Sequence, residues 1–130
     1  MGRQCRVLWG EASGWDGLSF KNLNNHSIVL RVDYGHASFT LMGGLEKEGI
    51  AELIEKQPAA TLDVDAMKVG HHGSYNATTD ALLQRLTPEV AVIEMGPASR
   101  QVTWSAYAYG HPRREAIDLL MKYIKQPPAA

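Results

Sequence analysis

The stretch Lys68-Val69-Gly70-His71-His72-Gly73-Ser74 restricts this chain more than any other. A short apolar run from Val64 to Val69 leads into it, and Val64, Met67 and Val69 suit a buried β-strand. The strand then stops at two histidines bracketed by glycines, where backbone can approach a ligand that side chains would block. Histidines leaving a strand end reach the pocket that forms there. His71 and His72 are therefore candidate metal ligands, and Ser74 and Asn76, which follow before the chain turns helical, are candidate substrate contacts. The plainer reading is a solvent-exposed, hydrogen-bonded loop.

The flanking sequence supplies an α/β frame. Cys5 to Trp9 reads as a strand, and Glu11 to Asn25 has loop composition, with Trp15 either a lid over a pocket or, the preferred reading, an anchor on the core. Ser27 to Asp33 and Ala37 to Met42 read as a hairpin around Tyr34-Gly35-His36. His26 and His36 are surface residues in this reading. Leu45 to Lys56 spaces Leu45, Ile50, Leu53 and Ile54 as one helical face. The early Glu46 and Glu48 of that helix suit the positive end of its dipole and need no catalytic role. Gln57 to Thr61 is a link to the central strand. Thr78-Thr79-Asp80 caps a second helix carrying Leu82, Leu83 and Leu86 and stopped by Pro88, Val90 to Met95 is a strand, and Val102 to Tyr109 is a strand or an ordered loop. Pro112 opens a last helix whose apolar side holds Ile117, Leu119, Leu120, Met121 and Ile124, and Lys125 to Ala130 reads as a flexible tail. The prediction is one domain over 1–130, a mixed sheet of about five strands with about three helices mainly on one face.

Composition narrows the function. A formal charge of −1 over 130 residues gives no field that draws nucleic acid, so no nucleic-acid binding is expected. The single cysteine, Cys5, builds neither an internal disulfide nor a cysteine-rich zinc site and is expected to serve packing. No run of about 18 apolar residues and no basic-then-apolar leader occurs, so a cytoplasmic chain without a membrane segment is expected.

Five motifs in sequence order carry a resemblance. They are Asn25-His26-Ser27-Ile28-Val29-Leu30, the Tyr34-Gly35 turn, Leu41-Met42-Gly43-Gly44 with its acidic Leu45-Glu46-Lys47-Glu48, the Lys68 to Ser74 stretch, and Tyr109-Gly110-His111-Pro112. From residue 25 to about 112 the chain resembles the second half of the metallo-β-lactamase-like hydrolase domain of the ComEC competence proteins and their soluble relatives. That resemblance implies half of a four-layer αββα sandwich. It implies two zinc or manganese ions between the halves, with a metal-bound water attacking phosphorus or a carbonyl.

This sequence departs from the pattern in ways that bear on chemistry. It contains no His-x-His and no His-x-Asp-x-Asp-His, and Gly44 stands where the family has the aspartate of Thr-Gly-Asp. Of the implied ligands the His71-His72 pair remains, with His71 the better match. His111 resembles a pocket residue that binds a substrate oxyanion or phosphate, and is the candidate catalytic residue; the alternative is a helix-entry histidine bonded to backbone. Asp63 and Asp65 flank the entry of the strand that His71 leaves, roughly 20 Å away at strand rise, and cannot share its metal. Glu94, ending a neighbouring strand, is a weaker candidate for the same rim. A catalytic zinc takes about three protein ligands, so the expectation is weak metal binding at most and a poor enzyme. Completion of the site by another chain and a non-catalytic interaction module are the alternatives. With helices on one face only, the other sheet face is expected to be apolar and covered, either by a second copy in a homodimer or by the loop from Glu11 to Asn25 through Trp15 and Leu18.

Overall fold

The structure is a computed structural model and describes residues 2–10, 21–97, 99 and 102–124. Its frame starts from a tight hairpin. Strand β2 (Val29–Tyr34) turns through Gly35 and His36 into β3 (Ala37–Leu41), and Gly35 takes the positive φ of 62° that the first position of a type II′ turn requires. Strand β1 (Arg3–Trp9) pairs antiparallel with β2, its register shifting between Val7 and Trp9 so that Leu8 is bulged.

Beyond β3 the sheet becomes parallel. Helices α1 (Lys47–Lys56) and α2 (Ala59–Leu62) carry the chain to β4 (Ala66–Lys68), and α3 (Asp80–Leu86) carries it to β5 (Val90–Val92). The five strands lie in the order β1-β2-β3-β4-β5. Helix α4 (Arg114–Tyr123) closes the described chain by packing on α3. Paired residues share a face, so Arg31, Thr40, Met67 and Ala91 form one row across the sheet. Of that row, Arg31, Thr40 and Met67 are buried, and the core beneath it is made by Leu53, Leu62, Leu82, Leu83 and Leu86 of the helices. Burying each such leucine contributes about 1.5–3 kcal/mol. The helices therefore cover one face.

Several expectations are corrected. Gln57 to Thr61 is not a plain link, because Ala59-Ala60-Thr61-Leu62 after Pro58 makes the one-turn α2, so the described residues hold four α-helices. Val102 to Tyr109 is a run of turns, bonded Ser105 N to Val102 O and Ala108 N to Ser105 O, with no strand. Pro112 precedes the last helix, whose N-cap is Arg113, and Met121 lies on its exposed side. Cys5 is exposed rather than packed. Trp15, Leu18 and the tail 125–130 lie outside the described residues.

Two polar clusters fix this frame. Arg31 is buried on the helix side, donating Nη1 to the carbonyls of Thr61 (2.8 Å) and Asp63 (2.7 Å) and Nη2 to Asp33 (2.8 Å). It thereby closes carbonyls that the end of α2 leaves open. At the start of α1 a residue remote in sequence does the capping. The Asn25 side-chain oxygen accepts from Glu46 N (3.1 Å) and Gly49 N (3.2 Å), and the Trp9 indole donates to the Asn25 carbonyl (2.9 Å).

Candidate functional site

The His71-His72 pair leaves β4 through a tight turn, Gly70–Gly73, in which both histidines have left-handed backbone, φ 43° and 53°. Such angles are costly for non-glycine residues and persist where the surroundings hold them. Here His71 N donates to the Gly43 carbonyl (2.9 Å), and Arg113 N donates to the Gly73 carbonyl (2.8 Å). The turn is pinned between the end of the β-hairpin and the entry to α4.

Both imidazoles are oriented by oxygen acceptors. His71 Nδ1 lies 2.8 Å from Glu46 Oε1 and His72 Nδ1 lies 2.7 Å from the Glu94 carbonyl. Since a carboxylate and a carbonyl only accept, Nδ1 carries the proton in each ring, and the neutral ring keeps its lone pair on Nε2. Metal-ligating histidines are commonly held this way. Glu46 is itself buried and held, accepting from Asn24 Nδ2 (3.0 Å) and from Asn22 Nδ2. The acidic start of α1 thus does more than answer a helix dipole: it orients His71.

His111 joins this group. Its ring centroid is 5.5 Å from that of His71, and Tyr109 stacks on its other side at 6.4 Å. Its Nδ1 is buried and has no hydrogen-bond partner among the described residues. Burial lowers the His111 pKa below its ordinary 6.5, with the charges of His71 and Arg113 acting in the same direction. A depressed histidine pKa gives stability that is present above the unfolded value and is lost as pH falls through the folded one. The melting temperature is therefore expected to drop between pH 7.5 and 5.5, and His111→Gln to lessen that drop; equal drops in the two proteins would contradict this placement.

The other candidates lie as follows. Ser74 is buried and donates to the Asn76 side-chain oxygen, so the two brace each other within the segment that follows the histidines. Glu94 offers the site its carbonyl, while its carboxylate pairs with Lys68 (3.4 Å). Asp65 binds Ser38 and Asp63 binds Thr87, both with their side chains. Ser27 Oγ accepts from Gly44 N (3.0 Å), which draws the Asn25-His26-Ser27 motif onto the Gly43-Gly44 turn. Among the described residues no group of three or more His, Cys, Asp or Glu side chains is arranged to hold a metal ion.

Comparison with known proteins gives relatives by sequence. The chain is 37% identical over 100 residues to ComE operon protein 3 of Bacillus subtilis, 77% of this chain and 12% of that protein. It is 34% identical over 103 residues to Recombination protein 2 of Haemophilus influenzae, covering 75% of this chain and 12% of that one. It is 33% identical over 108 residues to Competence protein ComA of Neisseria gonorrhoeae, covering 75% and 14%. Its homologues include competence- and recombination-related proteins. The chain spans about an eighth of the length of these relatives. No family model and no solved structure matches it. No described helix is long and apolar enough to cross a membrane. Of the five segments that carry the resemblance to ComEC proteins, four, at Asn25, Gly43-Gly44, His71-His72 and His111, meet in this cluster, and the Tyr34-Gly35 turn lies at the other end of the hairpin.

Sequence reasoning missed Glu46, Asn22 and Asn24 as parts of the site. The available signal was position: an acid just after a Gly-Gly strand end lies at the rim where the neighbouring parallel strand ends.

Proposed function

We propose that the chain is a partial or diverged hydrolase module of the metallo-β-lactamase superfamily, ComEC-like, and catalytically impaired by itself. The observation that carries this reading is the state of the histidine pair. His71 and His72 each commit Nδ1 to an oxygen, which leaves two Nε2 lone pairs of the right chemistry. Two imidazoles fall short of the three or more protein ligands that a catalytic zinc takes. The described residues therefore do not fit zinc or manganese on their own, and tight binding would need donors from elsewhere. In this reading His111, whose ring lies 5.5 Å from that of His71, is the residue that meets a substrate oxyanion or phosphate. A cytoplasmic place goes with this reading, and so does the absence of a role for nucleic acid, given the slightly acidic charge that offers phosphate no field.

A second reading is an active metal-dependent phosphodiesterase completed by another polypeptide. The pre-set histidines favour it, since their two Nε2 lone pairs are half of an interaction.

Zinc titration followed by calorimetry tests the first reading. The expected result is weak binding, with no detectable hydrolysis of bis(p-nitrophenyl) phosphate in zinc or manganese; submicromolar binding of two ions per chain with turnover would overturn it. Gly44→Asp is expected to fold, because no positive φ is required and the tight contact of an added Cβ, 3.2 Å from Ser27 Oγ, is relieved by a shift of a few tenths of an ångström in that hydroxyl. That variant is expected to bind zinc about tenfold more tightly, one further ligand being worth on the order of 1.4 kcal/mol here, and still not to turn over. Unchanged zinc affinity would show that residue 44 does not face the histidines.

A further inference from the structure

We propose that Lys68 is a positioning residue for His72, acting through Glu94: an ion pair between β4 and the chain leaving β5 sets the carbonyl that fixes the His72 tautomer. The proposal rests on the hydrolase reading only for what that tautomer is used for. The link itself is a chain of contacts. Lys68 opens the stretch that carries both histidines. Its neighbours Met67 and Val69 are buried, and alternation along β4 sends Lys68 to the side of the sheet away from the helices. There its side chain is only 26% exposed, and its ammonium lies 3.4 Å from the Glu94 carboxylate. Glu94 is two residues beyond Val92, where the pairing of β5 with β4 ends, so the ladder alone does not set the direction of its carbonyl. Yet that carbonyl accepts from His72 Nδ1 at 2.7 Å. Glu94 therefore grips one stretch of chain at two points, Lys68 with its carboxylate and, four positions later, His72 with its carbonyl.

The two histidines have unlike acceptors, and this is why Lys68 matters to one of them. His71 is held by a side chain, the buried Glu46 carboxylate, which two asparagines fix in turn. His72 is held by main chain that has just left the sheet. Ile93 seats that segment by packing on the core, and the Lys68 ion pair seats Glu94 itself. When the pair is removed, the carbonyl turns with its segment, and His72 loses the acceptor that keeps the proton on Nδ1 and the lone pair on Nε2. The Glu94 side chain is 66% exposed, so the pair is a weak tie. Its expected effect is a tautomer ratio changed about three- to fivefold, with the fold intact.

Nitrogen nuclear magnetic resonance of the isotopically labelled full chain tests this, at about pH 8, where an ordinary imidazole is neutral, and without added metal. In the wild type His72 is expected in the Nδ1–H form. Lys68→Met, which keeps an unbranched stem and removes the charge, and separately Glu94→Gln are each expected to move the His72 ratio about threefold or more towards Nε2–H, with His71 unchanged. The double variant is expected to match either single one, because the same ion pair is broken in all three. Glu94→Gln keeps the test decisive if Lys68→Met fails to fold. An unmoved His72 ratio, an equal movement at His71, or a double effect equal to the sum of the single ones would each overturn the proposal. Because the ratio is read without metal, a failure of the hydrolase reading in the zinc titration leaves it untouched, and an unmoved ratio sinks the Lys68 link alone.

Discussion

Arg31→Ala is expected to destabilise the protein by about 3 kcal/mol, the scale of losing two or more charge-assisted hydrogen bonds inside a protein. The guanidinium is buried and serves two ends at once. It satisfies the carbonyls of Thr61 and Asp63 at the end of α2, and it holds the Asp33 carboxylate two residues further along β2. Alanine removes all of these and leaves the carbonyls open under the helices. Arg31→Lys is expected to recover only part of the loss, since an ammonium cannot present the planar fork that reaches both ends. Urea unfolding of the three proteins reads this directly, and a cost below about 1 kcal/mol for alanine would place Arg31 among ordinary surface arginines. The pH dependence follows from the same geometry. The hydrogen bond from Arg31 holds the Asp33 carboxyl below its usual range, with Arg6 helping. A depressed carboxylate contributes stability above its unfolded value, lost as pH falls through the folded one. Wild type is thus expected to lose more stability than Asp33→Asn on acidification from pH 5 towards pH 3.

Gly73→Ala is expected to cost about 2–4 kcal/mol, by adding left-handed strain to a clash with Pro112. Gly73 has φ 77°, and a Cβ there would lie 2.8 Å from Pro112 Cβ and 3.3 Å from Pro112 Cα. Its carbonyl also receives Arg113 N. The strain and the clash both push the segment carrying His111 away from His71, so nuclear magnetic resonance shifts of the His111 ring are expected to move as well. Gly110→Ala separates the two causes. That residue has φ 74°, but its added Cβ would meet nothing closer than 3.6 Å, so strain alone is expected, about 1 kcal/mol. Equal losses for the two variants would mean that Pro112 yields freely.

How much of this was legible from residues varies with the range of the interaction involved. Strands β2 and β3 and their turn follow from alternation and one glycine, and α3 follows from Thr79 and its leucines, because each signal is local. Helix α2 did not, since four residues give no period to read. The aromatics at Trp104, Tyr107 and Tyr109 suited a strand equally well, and only the turn bonds of that segment decide otherwise. Glu46 shows where local reading ends. An acid at the start of a helix satisfies the dipole argument fully, and nothing near it in sequence points to a histidine 25 positions on. Cys5 was read as packing because small apolar residues in strands usually are, yet it lies on the side of the sheet that the helices leave open.

The remote cap on α1 ties assembly of the site to assembly of the chain. Helix α1 does not close its own first amides: Asn25, 21 residues before Glu46, closes them, and Trp9 anchors Asn25 in turn. Any excursion that undocks the N-terminal turn therefore opens the Glu46 and Gly49 amides together and releases the carboxylate that orients His71. Deuterium uptake at these two amides would then follow the lifetime of a strand and turn remote from them in sequence, and the imidazole pair would keep its prepared tautomers only for as long as that distant contact is closed.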